Sequence, residues 1–239
     1  PDSDLVVRLL KSFTISRPSS RPSVPPWDLP LVLRALQGVP FEPLGSVALK
    51  FLSFKVAFIV AITSARRIGE LAALLCHPPF LKILDDGVLF KHNLAFVPKI
   101  SSKLHREQEI LLPVFFPSPA TKEEELLHLL DVKRAVQIYL QRSASFRKSE
   151  HFFVTFGGSN QGHKVSNVTL SRWLRSTVVS AYSFSSVPLP GGIQGRSTRG
   201  VGASWAEARG VPLSEICRAA TWASADTFVK HYRLDGVLG

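Results

Sequence analysis

Methionine is missing altogether from the 239 residues, and the chain begins at Pro1, so it is expected to be a piece of a longer translation product. Cysteine is almost missing. Cys76 and Cys217 lie far apart, each in an apolar helical context (LLC, EIC), with no CxxC spacing. Both read as buried reduced thiols, which supports neither a disulfide framework nor a metal site and points to an intracellular protein. Acidic residues are in deficit, 18 against 29 basic, for a net charge of +11. A globular protein this basic meets a polyanion, nucleic acid or an anionic membrane surface being the obvious ones; a merely soluble basic protein is the bland alternative. Long hydrophobic runs are missing too. The most apolar stretch, Phe51 to Ile62, is interrupted by Lys55 and falls short of the roughly 20 residues that a membrane span needs. It reads as a core helix. No signal peptide, internal repeat or long low-complexity segment is visible.

Hydrophobic residues do make up 45% of the chain, enough for a sizeable core. Asp4 to Phe13 reads as the end of a helix. Ser16 to Pro30 (SRPSSRPSVPPWDLP) reads as an extended linker, because each proline removes a backbone donor and restricts its predecessor. The expected division is therefore 1–26, the end of an N-terminal region plus linker, and 27–239, one larger domain. Asp28 is placed to cap a helix from Leu29 to about Gln37, with Pro30 tolerated in its first turn. Helices are expected over about Ser46–Ser64, Arg67–Leu75, Glu123–Arg142, Asn167–Ala181, Thr198–Arg209, Leu213–Ala220 and Ser224–Tyr232. Between Val88 and Pro113 the short runs GVLFK, LAFVPK and EILLP suggest two or three antiparallel strands. The expected class is mainly α with one small antiparallel sheet.

Four places carry candidate chemistry. In Ser64-Ala65-Arg66-Arg67-Ile68-Gly69-Glu70-Leu71, Arg67 and Glu70 share a helix face. Alone that reads as a solvated ion pair of little worth, yet two adjacent arginines between apolar helices must point at water, an acid or a phosphate. Lys99 ends a candidate strand and is either an edge-protecting charge or a mobile proton donor. Arg196-Ser197-Thr198-Arg199 follows a Pro/Gly-rich loop and opens a helix. Arginines are odd there, because the helix dipole prefers negative charge, but backbone N–H groups and guanidinium forks together suit a phosphate. The bland alternative is a capping Ser197 or Thr198 with incidental basic neighbours. Trp222 and Tyr232 close the chain as either core residues or chemistry. A tyrosine flanked by Lys230, His231 and Arg233 is not expected to be fully buried.

The order of these places along the chain resembles the tyrosine recombinases, the phage-integrase-type family, from about Trp27 to Tyr232. The stretches SARRIGELAALL, RSTRGVGASWA and TWASADTFVKHYRLD look especially like the eukaryotic branch carried by DIRS- and Ngaro-type retrotransposons. The resemblance puts Arg67 on the family's first arginine, with Glu70 on its acidic partner. Lys99 falls on the hairpin lysine and Arg199 on the arginine of the H-x-x-R motif. Trp222 falls on a position that is His or Trp in the family, and Tyr232 on the nucleophile. One position departs: Arg196 stands where the motif has histidine, and arginine stays charged and cannot act as a base.

The resemblance implies a recombinase catalytic domain that cleaves and rejoins duplex DNA through a 3′-phosphotyrosine. In that chemistry Arg67 and Arg199 would clamp the non-bridging oxygens and stabilise growing charge. Arg196 could donate to a phosphate oxygen. Lys99 would protonate the leaving 5′-hydroxyl, and Trp222 would brace the phosphate through its indole N–H. The covalent Tyr232 intermediate conserves bond energy, so no cofactor, ATP or metal is implied. Self-association on DNA, tetrameric in this family, a role in integration of a mobile element and a nuclear location are implied as well. Two rivals remain open: a relative that holds DNA without cutting it, favoured by Arg196, and an unrelated helical scaffold whose basic surface binds acidic proteins.

Overall fold

The computed structural model describes residues 26–91, 93, 95–96, 109–115, 117–222 and 224–234. Four expectations lie wholly or partly outside those residues: the helix before Phe13, most of the linker, most of the strand LAFVPK, and Lys99.

The first helix, α1 (Leu29–Leu36), starts as expected: Asp28 accepts from the Leu31 N–H at 3.1 Å, and Pro30 sits in the first turn. Trp27, just before it, is buried, and its Nε1 donates to Ser197 Oγ at 2.8 Å. The start of this region is thereby tied to a helix about 170 residues later. The central element is α2 (Leu49–Ser64), a helix apolar on nearly every side. A helix of that kind must be surrounded, and α2 packs against α5 (Val132–Ser143), α6 (Asn167–Phe184), α7 (Ser197–Ala208) and β3 (Ile110–Pro113).

Lys55 explains how α2 tolerates a charge in its apolar run. It is fully buried, and its Nζ donates to Glu42 Oε1 at 2.6 Å and to the Leu36 carbonyl. Arg134 of α5 holds the same carboxylate with two bonds, 2.8 and 2.9 Å. Burial pushes the Lys55 ammonium down to about 8, against the pull of Glu42. Burial also works to raise the Glu42 carboxyl, but the hydrogen bonds from Arg134 and Lys55 outweigh it and hold the group below its ordinary value. The charge is kept because it is paired.

The sheet has the order β1-β2-β3, antiparallel throughout, with β1 at Leu81–Ile83 and β2 at Gly87–Phe90. Val88 faces Leu112 and Phe90 faces Ile110; these four side chains are buried, while Leu111 is exposed. The alternation expected of a half-buried strand is therefore realised in β3. Strand β1 was not anticipated from the sequence. Its three residues, with Lys82 exposed in the middle, are too few to show a period.

Two further differences have identifiable causes. The helix expected over Glu123–Arg142 is broken into α4 (Lys122–His128) and α5. Asp131 makes the break by capping α5, accepting from the Arg134 N–H at 2.6 Å, and by accepting from the Phe115 N–H at 2.6 Å. The helix after Arg67, α3, covers only Ile68–Ala72, because Leu75 is drawn into a bridge with His151. The last two helices are α8 (Leu213–Ala219) and α9 (Ala225–His231). Cys217 is buried as expected, while Cys76 is only half-buried; both are free thiols. The mainly α architecture with one small antiparallel sheet is the expected class. Among the described residues no helix is long and apolar enough to cross a membrane.

Candidate active site

The junction between α2 and α3 places the first arginines. Ala65 ends α2 in the left-handed region, φ 50°, a conformation that costs a non-glycine residue of order 1 kcal/mol. The chain turns there, and Arg67 becomes the extended N-cap of α3. Glu70 sits between the two guanidinium groups, 3.1 Å from Arg67 Nη1 and 3.8 Å from Arg66 Nη1. The pair is not the solvated ion pair that its spacing alone suggests, since the Glu70 side chain is only 4% exposed. Burial pushes the Arg66 guanidinium down to about 10, aided by the charge of Arg67 and opposed by Glu70.

Helix α7 brings in Arg199. Gly202 permits a close approach to α2, because a Cβ there would lie 3.0 Å from the Ile62 carbonyl oxygen. Neither Ser197 nor Thr198 caps the helix. Their hydroxyls donate to the carbonyls of Gln194 and Gly195, and Arg196 holds the N-cap position without a side-chain cap. Arg196 itself is exposed, and its Nε donates to Gln194 Oε1 at 2.5 Å. Unlike Arg199, it is not buried.

That cluster is the centre of the site. The Arg199 guanidinium is buried, 4.8 Å from the Trp222 ring centroid and 5.1 Å from that of Tyr232. The two rings lie 4.7 Å apart, tilted by 31°. A second left-handed residue, Thr221 at φ 55°, immediately precedes Trp222. For a β-branched residue that is a true outlier. Tyr232 is half-buried, as its charged neighbours imply.

The electrostatics follow from this packing. Burial, and after it the charge of Arg67, lower the Arg199 pKa to about 10 against the opposing pull of Tyr232 and Glu70. The two arginines, the carboxylate and the phenol therefore share one field. One Arg199 N–H group donates to the Ala220 carbonyl. Its Nε and Nη1, like Trp222 Nε1, are buried and have no hydrogen-bond partner among the described residues. Buried donors are almost always satisfied, so three unsatisfied ones beside a phenol make a preformed place for an acceptor of negative charge. Among the described residues no group of His, Cys, Asp or Glu is arranged to hold a metal ion. A groove of about 690 Å³ lies alongside, between the end of α2, β3, α7 and α8, but Arg67, Arg199, Trp222 and Tyr232 are not among its lining residues.

Of the six residues singled out by sequence, Arg199, Trp222 and Tyr232 touch, and Arg67, paired with Glu70, acts on the charge of Arg199. Arg196 does not join them, and Lys99 lies outside the described residues. Sequence reasoning missed Gly200 and Ser204, which face the backbone of Tyr232. Small residues four apart in RGVGAS were the available signal of a close approach.

No protein-family model matches the sequence, and no curated protein does either. Solved structures do match. XerA recombinase aligns at a TM-score of 0.59 and 15% identity over 98% of this chain and 72% of its own. XerH site-specific recombinase bound to difH substrate aligns at 0.58 and 11%, over 86% of this chain and 49% of its own. The Tn1549 transposon integrase in complex with transposon right end DNA aligns at 0.55 and 15%, over 90% and 62%. This chain thus spans about half of XerH and 72% of XerA. The fold, mainly helical with a three-stranded antiparallel sheet, is that of the tyrosine recombinase catalytic domains.

Proposed function

We propose that this chain is the catalytic domain of a tyrosine recombinase that cuts and rejoins duplex DNA, as part of a eukaryotic mobile element of the DIRS/Ngaro type acting in the nucleus. The observation that carries the reading is the buried Arg199 guanidinium, set against Trp222 and Tyr232 with two of its nitrogens unsatisfied. A scissile phosphate supplies the missing acceptors. Tyr232 gives its phenolic proton to water, its Oη attacks the phosphorus, the bond to the 5′-oxygen breaks, and the DNA 3′-phosphate is left on the tyrosine. The leaving oxygen takes its proton from Lys99. Arg67, steadied by Glu70, and Arg199 hold the non-bridging oxygens as charge develops there. Rejoining is the same step reversed, with the 5′-hydroxyl as nucleophile. The names of the XerH and Tn1549 structures, bound to difH substrate and to transposon right end DNA, support a DNA partner; assembly of several copies on it is part of the proposal.

The test is a duplex carrying a nick close to the cleavage site, which traps the covalent adduct because the short leaving strand diffuses away. Adduct with the parent and none with Tyr232→Phe is the expected result. Binding should weaken steeply with salt, by roughly 0.9 log unit per log unit of salt for each phosphate contact. A second reading, a relative that binds DNA without cutting it, is favoured by Arg196, which lies exposed on Gln194 and cannot take a proton. Salt-dependent binding with no adduct would decide for it.

A further inference from the structure

A nucleophile at the end of a short helix has a positional problem. Helix α9 closes with the Tyr232 N–H bonded to the Phe228 carbonyl at 2.8 Å. The carbonyl of Tyr232 and the N–H of Leu234 lie beyond the helical ladder and need other partners. One side chain serves both. Ser204 Oγ donates to the Tyr232 carbonyl at 3.3 Å and accepts from the Leu234 N–H at 3.0 Å. A hydroxyl has one proton to give and lone pairs to spare, so both bonds form together. Ser204 is 2% exposed, so little water competes for it.

Ser204 does not act alone on its helix. Gly200, Ser204 and Glu207 fall at i, i+4 and i+7, on one stripe of α7. Gly200 lets the helix come close, since a Cβ there would lie 3.2 Å from the Tyr232 carbonyl oxygen. Glu207 Oε2 pairs with Arg233 Nε at 3.1 Å. The stripe therefore touches Tyr232, Arg233 and Leu234 in turn. The same helix carries Arg199, whose guanidinium lies 5.1 Å from the Tyr232 ring. One rigid element thus sets both the phosphate clamp and the backbone of the attacking residue.

We propose that Ser204 is a positioning residue that fixes Tyr232 relative to Arg199 by gripping the backbone on both sides of Arg233; the proposal rests on the recombinase reading above. The grip works within one chain, so the tyrosine held here serves the arginine of its own subunit. Displacing a reacting group by about 1 Å can cost on the order of a hundredfold in rate. Loosening this clamp should therefore slow the attack without touching DNA affinity.

Ser204→Ala removes both bonds, and Ser204→Thr keeps the hydroxyl. Hydrogen exchange at the Leu234 amide, read by NMR without DNA, should quicken about five- to tenfold in Ser204→Ala, the worth of one ordinary hydrogen bond, and return toward the parent in Ser204→Thr. Single-turnover adduct formation at saturating nicked duplex should fall roughly tenfold to a hundredfold in Ser204→Ala. The Kd for DNA should stay the same, and Ser204→Thr should recover most of the rate. Gly200→Ala guards against a folding artefact: alanine is the better helix former, and its methyl presses on the Tyr232 carbonyl, so slower adduct formation without loss of Tm supports the grip. An unchanged Leu234 amide in Ser204→Ala overturns the clamp whatever the DNA assay shows. Parental adduct rates in both Ser204→Ala and Gly200→Ala overturn the positioning role even if the clamp is real. A parent protein that traps no adduct on the nicked duplex overturns the recombinase reading, and the positioning role with it, while the amide measurement still reports on the clamp.

Discussion

Replacing Arg199 with methionine should separate catalysis from folding, because the two respond to this residue through different physics. The side chain is 4% exposed, and burial lowers its pKa from 12.5 to about 10. Keeping a buried charge in place costs on the order of a few kcal/mol. Against that stand the contacts with the Trp222 and Tyr232 rings, worth about 1 kcal/mol each. The bond to the Ala220 carbonyl adds roughly 1.5 kcal/mol. The terms nearly cancel. Methionine keeps the apolar stem and removes the charge, and the Ala220 carbonyl keeps the Thr221 hydroxyl as a donor. The net change in stability should be within about 1–2 kcal/mol, a Tm shift of a few degrees in a chain of this size. The phosphate, by contrast, loses a preorganised cationic fork, which typically costs about 3–4 kcal/mol of transition-state stabilisation, on the order of a hundredfold to a thousandfold in rate. The assay is single-turnover adduct formation on a nicked duplex beside a thermal melt. A rate loss under about tenfold, or a Tm collapse above about 10 °C in step with the activity, would show that the arginine is structural and refute the reasoning.

Glu42→Gln should destabilise the fold by about 3–5 kcal/mol at neutral pH, because it strands the buried Lys55 ammonium; denaturant melts check this, and a loss under about 1 kcal/mol would mean that the Leu36 carbonyl and water satisfy the ammonium without the carboxylate. The pH dependence has a sign. Glu42 is held below its ordinary value, so its contribution is present above about pH 4.5 and fades as pH falls through the lowered pKa. Lys55 is lowered from 10.5 to about 8, so its burial cost applies below pH 8 and is relieved between 8 and 10.5; the stability gap between Lys55→Met and the parent should narrow over that window. Arg196→His should raise the adduct yield, increasingly as pH rises through about 6.5 where a neutral imidazole becomes available as a base. If Arg196→His is no better than an active parent, arginine is a competent substitute at this position.

Local chemistry was legible in the sequence wherever a residue decides its own surroundings. Asp28 before an apolar run is a helix cap, and the structure uses it so. The all-round apolar pattern from Phe51 to Ile62 reads as a core helix and the run EILLP as a strand, but three successive apolar residues, Ile110 to Leu112, leave to the structure which of them face the core. Motif order along the chain singled out Arg199, Trp222 and Tyr232. What the sequence could not carry were effects that depend on a distant partner. Asp131 breaks a helix because Phe115 and Arg134 come to it. Lys55 survives burial because Glu42 and Arg134 meet it. Glu70 became a buried brace between two arginines only when α3 was packed. The left-handed turns at Ala65 and Thr221 occur at residues with no intrinsic preference for them, so the surrounding packing must impose them. Arg196 and Arg199 are three apart and indistinguishable by composition, yet the turn opening α7 leaves one exposed on Gln194 and buries the other against two rings. Residue type supplies the charge; only the tertiary structure decides whether water or a phenol lies next to it.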